Sequence, residues 1–349
     1  MRVVITGASG FLGQCLTRTL LAQRTFAGTP LSRLVLADTL TPPDGALAAD
    51  PLVDVVHGDL NDRLADLFRH PVDVVFHLAA AVSAACEADF DLGMRTNIDT
   101  TRALLDTART QVAAGGPLVR LVFSSSLAVY STRPDHPTTQ AVSENTAPVP
   151  HSSYGMQKLV CEHLIADYTR RGYLDGRTAR LMTVAVRPGT PNAAASGFLS
   201  SLIREPLAGR LATCPVPPEL PVALASPRTT IQGLLRLAEA ERGHGPGRLD
   251  GPEPVNLPAL TVTVTDIITA LQHLAGDTTT DLITHRPDPT VQAIVTSWPA
   301  VFDNQRATAL GLTPDPDIHS LLSQYLTDHP HAVRAPTARR PPRRQTPPH

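Results

Sequence analysis

Aromatic side chains are scarce in this sequence: one Trp, five Tyr and eight Phe, 4% of 349 residues. A core must therefore be built from Leu, Val, Ala and Ile, and a hydrophobic content of 42% is enough for a sizeable one. Cysteine is equally sparse. Cys15, Cys86, Cys161 and Cys214 stand far apart with no CxxC pair, which argues against a disulfide frame or a metal cage. No metal is expected, and a reducing cytoplasm is the expected location. Charge of one sign is lacking too. A net charge of −2 gives no pull toward nucleic acid or an anionic membrane. No window approaches ~18 uninterrupted apolar residues, so no transmembrane helix is expected. Val3-Val4-Ile5 starts a strand where a leader would need a charged region and a long apolar run, so no signal peptide is expected either.

What is present is alternation. Strand candidates fall at 2–5, 34–37, 53–57, 74–78, 118–124 and 183–187, short and apolar on both faces. Helical patterns lie between them at 10–21, 63–69, 90–113 and 154–171. This rhythm predicts an α/β Rossmann domain, a doubly wound parallel sheet with helices on both faces, over residues 1–190. Prolines then become denser. Helices at 195–208, 229–240, 264–275 and 315–325 predict a smaller C-terminal substrate lobe over 191–330, with some elements returning to the first domain. Residues 331–349 are rich in Arg and Pro with almost no large apolar side chain, the composition of a disordered basic tail.

The first strand runs into Thr6-Gly7-Ala8-Ser9-Gly10-Phe11-Leu12-Gly13. Gly7 permits the tight turn, Gly10 lets the backbone approach a pyrophosphate, and Gly13 lets the helix sit close on the sheet. Free N–H groups at the helix start, including those near Phe11 and Leu12, then hold the phosphates. Asp38 ends strand two at the interval expected for a ribose-binding acid. Its carboxylate accepts from both adenosine ribose hydroxyls and repels a 2′-phosphate, so NAD is the expected cofactor. Asp59 and Leu60 follow strand three and suit the adenine. Leu78, Ala79 and Ala80 follow strand four and leave room for the cofactor.

Strand five ends in Ser124-Ser125-Ser126, and Ser152-Ser153-Tyr154-Gly155-Met156-Gln157-Lys158 comes later. Tyr154 and Lys158, four apart in a helix, share a face. A free tyrosine has a pKa of ~10; lowering it by about three units is worth ~4 kcal/mol, a task for one lysine plus the positive charge of oxidised nicotinamide. Tyr154 then takes a proton from a substrate hydroxyl, Lys158 lowers its pKa and reaches the nicotinamide ribose, and Ser126 fixes the substrate oxygen. Ser124, Tyr154 and Lys158 count as cofactor contacts as well.

Gly7, Gly10, Gly13, Asp38, Asp59, His77-Leu78-Ala79-Ala80, Asn97, the serine cluster and the Tyr154/Lys158 pair resemble the extended short-chain dehydrogenase/reductase superfamily. The resemblance implies that Asn97 supports the sheet near the active site. It implies that Met182 and Thr183, with the loop beyond Arg187, border the nicotinamide. It also implies a two-fold homodimer through helices 90–113 and 154–171. Further along, Arg187-Pro188-Gly189-Thr190-Pro191-Asn192, Ile203-Arg204-Glu205-Pro206-Leu207, Cys214-Pro215-Val216-Pro217, Ser226-Pro227-Arg228 and Ser297-Trp298-Pro299 resemble the D-erythronate dehydrogenase family. That likeness implies oxidation of the 2-hydroxyl of a four-carbon sugar acid. A sugar acid asks for a bidentate arginine, and Arg187, Arg204 and Arg228 are the candidates, with Ser83, Ser126, Asn192 and Ser196 for hydroxyls.

Competing readings share these residues. A nucleotide-sugar epimerase uses the same triad, keeps its NAD, and needs a cationic pocket for a diphosphate. A ketoreductase of specialised metabolism runs the same chemistry in reverse. A dehydratase carries an acidic pair beside the catalytic hydroxyl residue, whereas Ser126 is followed by Leu127. A non-enzymatic dinucleotide sensor has no need of the triad.

Overall fold

Val3 and Ile5 are packed into one apolar layer and Val4 into another, all fully buried. A strand with an apolar layer on each side is what a parallel sheet requires. The computed structural model describes residues 1–42, 44–131, 141–190 and 194–333. Asn192 and most of the basic tail lie outside these.

The strands that build and border the site are β1 (Arg2–Thr6), β2 (Arg33–Asp38), β3 (Val53–His57), β4 (Val74–His77), β5 (Arg120–Ser126), β6 (Asp175–Leu181), β7 (Thr183–Val184), β8 (Pro221–Ala225), β9 (Val255–Asn256) and β10 (Leu260–Thr263). One seven-stranded sheet has the order β3-β2-β1-β4-β5-β6-β9, and every pairing in it is parallel. The order reverses between β1 and β4, which opens a crevice at the carboxyl ends of the strands.

The helices that frame them are α1 (Phe11–Gln23), α2 (Leu60–Leu67), α3 (Ser83–Ala88), α4 (Phe90–Gly93), α5 (Thr100–Ala113), α6 (Ser153–Arg170), α7 (Gly197–Leu207), α8 (Pro227–Glu239), α9 (Val264–Ala275) and α10 (Ile318–Asp328). One face of the sheet is covered by α1 and α8 through Leu16, Leu20, Leu234 and Leu237. The other is covered by α2, α5 and α6 through Leu64, Leu104, Leu105, Cys161 and Ile165. Leu199, Leu202, Ile267, Leu271, Leu321 and Leu322 make a third core joining α7, α9 and α10. Beside it, β8 pairs with β10 and β7 in a separate sheet. The third core takes in Ala185 and Val186 as well as residues beyond 190, while β9 and α8 return to the first layer system. Among the described residues no helix is long and apolar enough to cross a membrane.

Two expectations change. The apolar run at 183–187 predicts the sixth strand there, but that strand is Asp175–Leu181, and Thr183–Val184 belongs to the second sheet. Arg177 and Arg180 disguise β6, because both are buried in the sheet and are compensated there by bonds. Arg177 donates to the Leu237, Ala238 and Ala240 carbonyls at the end of α8, at 2.7, 2.8 and 2.6 Å, and pairs with Asp175 at 2.8 Å. Burial would raise the Asp175 carboxyl, but Arg177 and Arg242 outweigh it and hold it down at about 2. The single helix expected over 90–113 is also broken: α4 leads into a π-helical turn, Met94–Asp99, before α5 begins.

The substitution Arg177→Met leaves those carbonyls short of a donor inside the fold. A loss of about 3–5 kcal/mol in urea unfolding is expected; a loss under about 1 kcal/mol would show that the cluster is ornamental.

Candidate active site

Gly7 sits at φ 71°, a left-handed conformation, as the chain turns out of β1. A Cβ at Gly13 would stand 2.2 Å from the Gly7 carbonyl, so only glycine lets α1 pack this near the loop. Asp38, at the end of β2, accepts from Ser9 N at 2.9 Å and from Leu40 N at 3.0 Å. These bonds fix its carboxylate beside the glycine turn and leave lone pairs for a further donor. A cavity of about 1210 Å³ runs from here along the sheet edge. Gly7, Gly10, Phe11, Leu12, Gly13, Asp38, Asp59, Leu60, Leu78, Ala79, Ala80 and Ser124 all line it. The cradle, the acid and the length of this cavity suit a dinucleotide.

Other residues singled out in the sequence hold the walls instead. Asp59 caps α2 by accepting from Asn61 N at 2.9 Å. Asn97 is buried on the π-helical turn, receives Ala81 N at 2.8 Å, and donates to the Ala81 carbonyl at 3.2 Å and to Gln157 at 2.8 Å. It thereby clamps the segment after β4 against α6. Met182 packs with Leu127, Ala223, Ala225, Trp298 and Phe302, and Val184 rather than Met182 or Thr183 faces the cavity. His77 is buried between the Thr6 and Thr101 hydroxyls at 2.7 and 3.0 Å. Burial, then Lys158, lowers it to about 3, so it stays neutral.

The triad forms where β5 meets α6. Ser152 caps that helix through Gly155 N at 3.1 Å, setting the first turn. One turn separates Tyr154 from Lys158. Ser126, at the end of β5, is near enough to the Tyr154 phenol to bear on its ionisation. Lys158 is only 2% exposed. Its ammonium donates to the Ser124 carbonyl at 2.8 Å and lies 4.6 Å from the Phe123 ring centre. The triad thus abuts the cavity at Ser124.

The electrostatics differ from the expected lowering of the Tyr154 pKa. Burial raises the Tyr154 phenol to about 12, with neighbouring Ser126 opposing it. Burial lowers Lys158 to about 8, against the charges around it. With Nζ bonded to Ser124 and 5.6 Å from the Tyr154 ring centre, the lysine does not by itself overcome desolvation of the phenol.

A layer that the sequence reading passed over backs the triad. Glu162, one more turn along α6, receives Ser125 Oγ at 2.5 Å and pairs with Arg180 on β6 at 2.6 Å. Arg180 also donates to the Tyr130 hydroxyl. The signal was available: Tyr154, Lys158 and Glu162 repeat at intervals of four on one helix face.

At the far end of the cavity stand Arg187, Ser196, Ser200 and Arg204. Ser83 accepts from Ala195 N at 3.0 Å and ties α3 to this corner. Arg228 is outside the cavity wall, at the start of α8, paired with Asp328 at 2.9 Å.

Three comparisons bear on the site. The family model described as the NAD dependent epimerase/dehydratase family matches residues 3–223. A D-erythronate dehydrogenase of Cupriavidus necator is 44% identical over 336 residues, 94% of this chain and 98% of that protein. A D-erythronate dehydrogenase of Haemophilus influenzae is 39% identical, covering 93% of this chain and 99% of that one. Among solved structures, a nucleoside-diphosphate-sugar epimerase from Agrobacterium tumefaciens aligns with TM-score 0.85 and 35% identity over 95% of both chains.

In cofactor-free protein, the absorbance difference between wild type and Tyr154→Phe is expected to show no phenolate below about pH 10. A step in the neutral range would mean that Lys158 alone ionises Tyr154.

Proposed function

The chain belongs to the NAD-dependent epimerase/dehydratase family, a family of NAD-dependent oxidoreductases, and from that premise we propose that it oxidises the 2-hydroxyl of a short sugar acid, D-erythronate to 2-dehydro-D-erythronate. The observation that carries this reading is the meeting of β5 and α6, where buried Lys158, one turn from Tyr154, donates to the Ser124 carbonyl in the wall of a cavity with a glycine cradle. The relatives called D-erythronate dehydrogenases match over almost their whole length, the substrate lobe included.

In this reading Ser126 holds the C2 oxygen of the substrate, and the Tyr154 oxygen receives its proton as the C2 hydrogen leaves. When bound, NAD accepts that hydrogen as hydride, which leaves a C2 carbonyl. Lys158 contributes its charge beneath the phenol and a donor toward the cofactor ribose. Since Lys158 titrates near 8, that charge fades as the pH climbs above this range. The Asp38 carboxylate accepts ribose hydroxyls and repels a 2′-phosphate, which favours NAD over NADP.

The epimerase reading has the Agrobacterium structure in its favour. It requires the cavity to neutralise a diphosphate besides the cofactor.

Purified protein with NAD is expected to form NADH on D-erythronate, followed by absorbance, with little formation from NADP. Asp38→Ala is expected to shift the NAD-to-NADP preference by about 10-fold or more, the loss of a charge-assisted bond. Silence on four- and five-carbon sugar acids, with NAD still bound, would move the reading to an epimerase. An unchanged preference would remove Asp38 from the ribose site.

A further inference from the structure

Three arginines are candidate partners for a substrate carboxylate, and their surroundings separate them. Arg228 is half-exposed and paired with Asp328 away from the cavity. Arg204 lines the cavity but is 3% exposed and fully engaged. Its guanidinium donates to Glu205 at 2.8 Å, to the Arg187 carbonyl at 2.7 Å and to Ser201 at 3.1 Å. Glu205 neutralises it at 2.6 Å while also pairing with Arg210.

Arg187 is the opposite case. Its backbone is pinned to α7 at both ends, N–H to Ser200 Oγ at 3.0 Å and carbonyl to Arg204. Its guanidinium has no hydrogen-bond or ion-pair partner among the described residues, although it lies in the cavity wall and is partly buried. Burial and the neighbouring Arg204 both disfavour its charge. Arginine does not escape by losing its proton. A cation held in place and left uncompensated is poised for an anion that arrives from the cavity.

Two further arginines, Arg63 and Arg95, also line the cavity. Arg63 is engaged by the His57 carbonyl and Asp66, next to Asp59. Arg95, on the π-helical turn, has no side-chain partner among the described residues either, but it is exposed to solvent rather than held in the wall. Arg204 is held by Glu205, whereas Arg187 is a partly buried cation of the cavity wall with no counter-charge among the described residues. We propose that Arg187 is the receptor for the carboxylate of a short hydroxy acid, with the Arg204–Glu205 pair as the frame that aims it. One planar guanidinium matches one carboxylate in a two-bond fork. This inference rests on the sugar-acid reading above and names the residue that enforces it.

The test uses full-length Arg187→Met and Arg187→Lys. D-Erythronate turnover is measured with saturating NAD, NADH affinity by fluorescence, and D-erythronate binding to the NADH-loaded protein by calorimetry. Arg187→Met is expected to weaken D-erythronate binding and raise its KM by about 10- to 100-fold, the loss of a charge-assisted fork. NADH affinity should change less than about twofold, and the melting temperature should hold, since the guanidinium supports nothing in the fold. Arg187→Lys should recover part of the loss, because the charge returns without the fork. Equal weakening of NADH and D-erythronate would assign Arg187 to the cofactor and overturn the proposal, as would no change in either. If wild-type protein binds D-erythronate through Arg187 without oxidising it, the carboxylate receptor stands and the dehydrogenase reading falls. If wild-type protein binds no sugar acid at all, both fall.

Discussion

A single buried hydrogen bond, from the Lys158 ammonium to the Ser124 carbonyl at 2.8 Å, joins the end of β5 to the first turns of α6. The rest of the site depends on it. β5 brings Ser126; α6 brings Tyr154; the bond fixes the distance between them. It also ends the ladder at the residue that lines the dinucleotide cavity. Burying an ammonium is costly without partners, and the fold answers with the Ser124 carbonyl, the face of Phe123 and, one turn further, the Glu162 carboxylate tied to Ser125 and Arg180. The layer behind the triad is therefore polar and closed, and it locks strand to helix where a reacting group has to be held still.

The same burial sets the chemistry. Desolvation drives Tyr154 upward and Lys158 downward, so the phenol stays protonated in the cofactor-free state. In the proposed reaction the phenol becomes a base only when further charge and substrate enter the cavity. That conditional state keeps a reactive phenolate from standing idle, and it makes the cofactor cradle and the triad one device. At the opposite end the cation Arg187 is likewise left incomplete until an anion arrives.

Much of this was legible in the sequence. Glycines at 7, 10 and 13 after a strand of β-branched residues marked the tight turn into a closely packed helix, and Asp38 follows at the interval expected of a ribose-binding acid. Tyr154 and Lys158 are one helical turn apart. What was not legible came from charge inside the core. β6 carries Asp175, Arg177 and Arg180, which read as surface, and only the carbonyls at the end of α8 and the Glu162 carboxylate make them interior. Apolar periodicity therefore slid the sixth strand to the next hydrophobic run. The π-helical turn at Met94–Asp99 was hidden for another reason. It changes hydrogen-bond register without changing composition, and Asn97 is aimed by it. Choosing among Arg187, Arg204 and Arg228 needed their partners, which are set by tertiary contacts with Glu205 and Asp328.

The central claim is that Tyr154 moves the proton while the cradle binds the cofactor independently of it. The most direct measurement is the turnover and NADH affinity of Tyr154→Phe, which removes one oxygen and keeps the ring. The account predicts a loss of turnover of about 10³-fold or more with NADH affinity unchanged. Turnover within a few-fold of wild type would contradict it.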